Sequence, residues 1–333
     1  MRAYTSLRDV RCLPAAEANS KAEAPGLAIY RFSAQVIGRS SGRSATAAAA
    51  YRAGVEILDD RTGITHDYTR RSGVDEALIL APESAPAWAQ DRAALWNAVE
   101  SAEKRKDAQL CREVQLALPC ELSAEQRRAL VVGFVRDQWV SRGMVADVAL
   151  HAPDREGDER NHHAHVMLTM RSVGPEGFGP KVREWNDKAL LEGWREAWQV
   201  HANQALELAG RSERIDHRTL TAQRVDALQV GAIGRADALD RLAEPKLGAV
   251  PTLDLRRSKR EDKPPRTERA EQWLGVQSQN AQRLDLLSQL RESFRALAAE
   301  GIALFERGYE AFKVGLEQQR EQERRGRESG RGR

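Results

Sequence analysis

Two alternating stretches joined by a short acidic loop constrain this chain more than anything else in it. The first is Asp147-Val-Ala-Leu-His151 and the second is His163-Ala-His-Val-Met-Leu-Thr-Met170. Strict alternation is the mark of a β-strand with two unlike faces. In the first arm Asp147, Ala149 and His151 share a face, with Val148 and Leu150 behind. In the second, His163 and His165 share a face, while Ala164, Val166, Leu168 and Met170 form the apolar side. The intervening Asp154-Arg-Glu-Gly-Asp158 is a natural turn, so the arms pair antiparallel. Of the chain's seven histidines, four lie between 151 and 165. Pairing brings His151 beside His163 and His165, three imidazoles aimed at one point. Three histidines with a position left open is the donor set of a catalytic metal site. A His-rich, solvated turn is the plain alternative. Parity turns His162 the other way, outside this set.

Composition narrows the class. A length of 333 residues suffices for one large domain or two modest ones. The formal charge of +3 is too small to argue nucleic-acid binding by itself, so any DNA face is local. Cys12, Cys111 and Cys120 are scattered and form no CxxC pair, which fits a reducing cytoplasm. Apolar runs such as Ala129-Leu-Val-Val-Gly-Phe134 are too short to span a bilayer, and no signal-peptide core is evident. The expectation is a cytoplasmic protein with no membrane partner.

Residues 1–26 lack any period and read as a flexible leader. Ala28-Ile-Tyr-Arg-Phe-Ser-Ala-Gln-Val36 then alternates, with Arg31, Ser33 and Gln35 on the polar face. The loop Gly38-Arg-Ser-Ser-Gly-Arg-Ser44 suits guanidinium and backbone contacts to phosphate, yet equally suits a linker with a helix cap at Ser41 or Ser44. It is no P-loop, because Gly-Lys-Ser/Thr is missing. The alanine-rich helix that follows carries Tyr51. By itself such a tyrosine is a core aromatic, since a phenol with a pKa near ~10 is a poor nucleophile unaided; a nearby metal changes that balance.

Further along, residues 63–71 read as an irregular, positively charged hairpin with His66 at the surface. Helices are expected over 85–107, over 123–142 with a cap at Ser123, and over 187–209 with Trp194, Trp198 and His201 in structural roles. Arg112-Glu-Val-Gln-Leu-Ala-Leu-Pro119 reads as a strand with Val114, Leu116 and Leu118 inward. Glu113 falls on the polar side, either solvated or placed to orient an imidazole or assist proton transfer. Ile215-Asp-His-Arg-Thr-Leu220 is a compact polar turn.

These segments together carry a resemblance. Gly42-Arg-Ser-Ala-Thr-Ala-Ala-Ala-Ala-Tyr51, the strand ending at Pro119, His151, the pair His163-Ala-His165, Lys181-Val-Arg-Glu-Trp-Asn186, Trp194–Asn203 and Ile215–Leu220 resemble the MobA/MobL-type plasmid relaxases of the HUH endonucleases, especially the relaxase portion of TraA-type transfer proteins. The likeness covers about residues 27–223, in order. It implies an α+β fold, a five-stranded antiparallel sheet flanked by helices, with the metal site on the open sheet face. It implies that the chain nicks one strand of DNA at a plasmid transfer origin. Carried over, Tyr51 is the nucleophile, Glu113 supports the site, and His151, His163 and His165 bind a divalent metal. The family implies Mg²⁺ or Mn²⁺, whereas three imidazoles suit zinc on ligand preference. Single-stranded DNA is expected across the polar sheet face, held by Arg31, Arg39, Arg43 and Arg52. Tyr68 and Tyr30 are the alternative nucleophiles. TraA-like proteins continue into a helicase that this chain lacks, and the leader is extra. The rival readings are a rolling-circle replication initiator, a zinc hydrolase, and a non-catalytic accessory protein that binds the transfer origin.

The resemblance does not reach the last third. Residues 226–266 read as a linker, extended around Arg256–Arg266 with its Pro-Pro pair. Beyond it, from 267 to 333, lies a helical tail ending in a basic C-terminus. Leu287, Leu290, Phe294, Leu297, Phe305, Tyr309, Phe312 and Leu316 form one stripe there. It either packs as core or docks a partner: a second copy or another transfer protein.

Overall fold

The computed structural model describes residues 28–154, 158–245 and 247–329. The leader, the middle of the acidic turn and the last four residues lie outside them. Two compact units divide the chain between His217 and Arg218.

The first unit is built on β1 (Phe32–Gly38), α1 (Ala45–Ala53), β2 (Glu56–Asp59), β3 (Ile64–Asp67), β4 (Val74–Leu80), α2 (Arg92–Ala102), β5 (Gln109–Ala117), α3 (Ala124–Gln138), β6 (Ala146–His151), β7 (His163–Thr169), β8 (Arg171–Gly174), β9 (Gly177–Lys181) and α4 (Lys188–Leu208). Five strands form one antiparallel sheet in the order β1-β5-β7-β6-β4. The expected pairing of the two His-bearing arms is present, with His151 opposite His163 and Ala149 opposite His165. Strand β7 is central, so its histidines are flanked on both sides by paired backbone.

Alternation sorts the sheet's faces. Val114, Leu116, Val148, Val166 and Leu168 pack with Phe134 and Trp139 and with Trp194 and Trp198 of α4 in the larger core. Phe134 is the hub of an aromatic cluster, edge-on to Trp139 and Trp198 at 5.0 Å each. Truncating such a residue to Ala costs about 3–5 kcal/mol. Helix α3 begins with the expected capping box, Ser123 and Gln126 each bonding the other's backbone.

The opposite face is only partly open. Ile37, Cys111, Val145 and Met167 are covered by Ala45, Ala48 and Ala49 of α1 and by Leu95, Trp96 and Val99 of α2. Small side chains let α1 lie close to the strands. Asp147, on the histidines' face, is buried here and accepts from Arg92 and from the Trp96 indole at 2.9 Å. Polar parity therefore predicts which face a strand residue takes but not whether that face is wet.

The second unit corrects the linker reading. Residues 226–266 contain the end of α5 (Leu220–Gln229), all of α6 (Ile233–Leu239) and α7 (Ala249–Glu261). The Pro264-Pro265 pair only separates α7 from α8 (Glu268–Ser329). Asp254 of α7 accepts from the backbone N–H groups of Arg266 and Thr267, both at 2.7 Å, and from the Thr267 hydroxyl, and so fixes the segment that leads into α8. Asn280 exchanges hydrogen bonds with the backbone of Leu242, and Arg291 pairs with Asp237, tying the N-terminal half of α8 to α6 and its following loop. Farther along, Phe294, Phe305 and Phe312 are 70%, 74% and 65% exposed, so the stripe is not core. Among the described residues no helix is long and apolar enough to cross a membrane.

Candidate active site

His151, His163 and His165 meet at one end of β6 and β7. Their ring centroids are 4.9–5.3 Å apart, and one nitrogen from each lies within 4.8 Å of the others. His162 is outside that group. It lines a cleft of about 230 Å³ with Asp75, Glu125 and Arg127, and His151 borders the same cleft.

Each imidazole has one nitrogen engaged, which sets the nitrogen left over. His165 Nδ1 donates to Glu113 Oε1 at 2.7 Å, and His163 Nδ1 donates to the Asn161 carbonyl at 2.9 Å. Both therefore present Nε2 as a lone pair. His151 instead donates Nε2–H to the Arg52 carbonyl at 2.8 Å and keeps Nδ1. Such outer contacts fix tautomer and ring angle, as in metal-ligating histidines generally. Burial pushes His151 down to about 4, and the neighbouring His165 and His163 add to the effect. Burial also lowers His163. His151 and His163 are thus held neutral, the form that can bind a cation. The donor set fits a divalent ion.

Glu113 is engaged on both carboxylate oxygens. Its carboxylate accepts from Arg52 through Nε and Nη2, from Gln35 at 2.6 Å and from His165. Burial raises its pKa, but the bonds from His165 and Arg52 outweigh that and hold it well below the usual carboxylate range. Register explains the assembly: Gln35, Glu113 and Met167 stand opposite one another across β1, β5 and β7, two residues from His165.

The arginines divide. Arg39 is a structural anchor: its guanidinium binds the Glu100 carboxylate at 2.6 Å and the Glu103 and Arg105 carbonyls. Glu100 also accepts from the first N–H of α1 at 2.8 Å, so a carboxylate of this chain takes the N–H that follows the Gly38–Ser44 loop. Ser44, not Ser41, caps this helix. Arg39 therefore leaves the set of cations open to DNA. Arg52 is committed to Glu113 at 11% side-chain exposure, whereas Arg43, 3.6 Å from the same carboxylate, is 35% exposed. Arg31 is exposed.

Tyr51 stands on the last turn of α1, 46% exposed. Residue 52, next in the chain, provides the carbonyl that His151 binds, so the tyrosine's helix is tied to the triad. Tyr30 has a buried hydroxyl and is pushed up to about 12, chiefly by that burial. Two further residues touch Tyr51, Tyr68 and Arg71. In sequence Tyr68 was an alternative nucleophile, and Arg71 marked only a positively charged hairpin.

Comparisons with known proteins give the family. Residues 43–238 match the MobA/MobL family. The mobilization protein MobL of Acidithiobacillus ferridurans is 43% identical over 242 residues, 64% of this chain and 63% of that protein. The conjugal transfer protein TraA of Rhizobium radiobacter is 36% identical over 70% of this chain, which spans only 24% of that protein's length. A solved structure described as the molecular basis of vancomycin resistance transfer in Staphylococcus aureus is 30% identical, with a TM-score of 0.53, covering 57% of this chain and 99% of that one. With its five-stranded sheet and three clustered histidines, this chain belongs to the MobA/MobL family.

Proposed function

We propose that the protein is a relaxase that nicks one DNA strand at a transfer origin and later reseals it. The observation that carries this is the 2.8 Å bond from His151 to the Arg52 carbonyl, which joins the triad to the residue after Tyr51. The Tyr51 hydroxyl gives up its proton to water, its oxygen attacks the scissile phosphorus, the bond to the 3′ oxygen breaks, and that oxygen takes a proton from water and leaves as a hydroxyl, so one proton is lost and one gained. A divalent cation on the three imidazoles would draw charge from the non-bridging phosphate oxygens. The chain's own residues do the rest. His163 and His165 present Nε2, His151 presents Nδ1, and Glu113, fixed by Arg52 and Gln35, holds His165 in line. The resulting phosphotyrosine conserves the phosphodiester's free energy, so a 3′ hydroxyl can reverse the step without ATP. Arg31 and Arg43 are the exposed cations near the site for the DNA backbone, which phosphate contacts position without reading sequence. The mobilization and transfer names of the relatives support the same reading.

The test uses single-stranded oligonucleotides labelled at the 3′ end and tiled across DNA flanking the gene. In the presence of Mn²⁺, one should become attached to the protein through a bond that survives denaturation. Free cleaved product with no adduct would point to a hydrolase. Binding without cleavage would point to an accessory protein.

A further inference from the structure

Arg71 lies against Tyr51 in two ways at once. Its guanidinium carbon is 3.7 Å from the centroid of the tyrosine ring, and its Nη1 donates to the Tyr51 carbonyl at 3.0 Å. Tyr68 meets the same ring edge-on, with centroids 5.2 Å apart and planes at 87°. Both residues belong to the loop between β3 and β4, and that loop is itself held. Tyr68 donates its N–H to Val55 at 3.2 Å, Arg71 donates to Tyr68 at 2.9 Å, and Gly73 accepts from Ala152 at 3.0 Å. The loop also backs onto the end of α1. A Cβ on Gly54, where φ is +67°, would lie 3.8 Å from the carbonyl oxygens of both Tyr68 and Arg71.

We propose that Arg71 is a positioning residue for Tyr51, one jaw of a clamp whose other jaw is Tyr68. The proposal rests on the reading of Tyr51 as nucleophile. An exposed ring on the last turn of a short helix samples several rotamers, while in-line attack on phosphorus requires one. A guanidinium on the ring face is held by the aromatic quadrupole, and its backbone bond fixes the main chain beneath the same side chain. Arg52 cannot replace it, because its guanidinium is 6.0 Å from the ring centroid and committed to Glu113. Neighbouring Arg70 is exposed and provides a control of equal charge in the same loop.

Two readouts on the full chain test the clamp. With 3-fluorotyrosine in place of the five tyrosines, the Tyr51 signal is identified by its loss in Tyr51→Phe. Arg71→Ala should move that signal toward the free amino acid's shift, and Arg70→Ala should leave it in place. At saturating 3′-labelled oligonucleotide, Arg71→Ala should slow adduct formation about 10- to 100-fold, the scale of a reacting group misplaced by about an ångström. Arg71→Lys, which restores charge but not the planar stack, should fall between, and Arg70→Ala should match wild type. An unmoved fluorine signal with a wild-type rate in Arg71→Ala would overturn the proposal. So would a loss confined to DNA affinity and shared by Arg70→Ala, since that describes a phosphate contact. A wild-type protein that forms no adduct, yet whose Tyr51 signal responds to Arg71 alone, would sink the nucleophile reading and leave the clamp standing.

Discussion

His165 and Glu113, 52 positions apart in sequence, are joined by a 2.7 Å hydrogen bond from Nδ1 to Oε1. That bond ties a buried carboxylate to the three-histidine cluster. Removing the charge while keeping the shape, in Glu113→Gln, should weaken Mn²⁺ binding about 10- to 100-fold by calorimetry. It should also lower the melting temperature, because Arg52 is left with a neutral partner in a buried pair. Unchanged affinity would mean that His165 is oriented by something else.

Strand parity makes a sharper demand on adjacent histidines. His163→Ala should abolish measurable binding of a divalent ion, whereas His162→Ala should alter it less than about threefold. These are neighbours of the same residue type, so calorimetry on the pair separates register from simple proximity.

The pH dependence follows from burial. His151 is depressed from 6.5 to about 4, and His163 is also lowered. A depressed imidazole stays neutral at pH 7 and takes its proton only as the pH falls through the lowered value. In the metal-free protein the His151 ring should therefore stay neutral from pH 8 down to about 6.5 and take its proton only toward pH 4, followed by NMR titration. A midpoint at or above 6.5 would contradict the buried, neutral state. In the metal-free protein the same shift favours folding fully above 6.5 and is lost as pH drops toward 4, because the unfolded chain then binds more protons.

The two units predict a divisible protein. A chain ending near Ala222 keeps every residue of the candidate site and should stay folded and form the DNA adduct at near the full rate. The exposed stripe on α8 should matter to assembly instead. Replacing Phe305 and Phe312 by Glu in the full chain should change its light-scattering mass or its mobilization efficiency, with DNA cleavage intact. An insoluble or inactive truncation would return the tail to the catalytic unit.

How far the sequence carried the argument differs by region. The triad was legible because three histidines at fixed strand parity leave one geometry, and the observed register is that one. The sheet's apolar face was legible from Val114, Leu116, Val166 and Leu168 for the same reason. Arg39 was not, since nothing local distinguishes a guanidinium bound for solvent from one that will meet Glu100, 61 residues away. Glu113 was ambiguous until Arg52 and Gln35 were seen to occupy its oxygens. The linker failed for a related reason. A charged run before Pro-Pro looks extended, but Asp254 binds the backbone of Arg266 and Thr267 and gives α7 a tertiary role that composition does not reveal. Arg71 carried no sequence signal at all, being one of two adjacent arginines at the end of a hairpin.

The most direct measurement identifies the atom that holds the DNA. Trypsin cutting after Arg43 and Arg52 releases Ser44–Arg52, a short peptide whose one tyrosine is Tyr51. After reaction with the 3′-labelled oligonucleotide and nuclease trimming, mass spectrometry should find a 5′-phosphonucleotide on this peptide, absent in Tyr51→Phe. Finding the nucleotide on the peptide that carries Tyr68, or cleaved DNA with no peptide modified, would contradict the account.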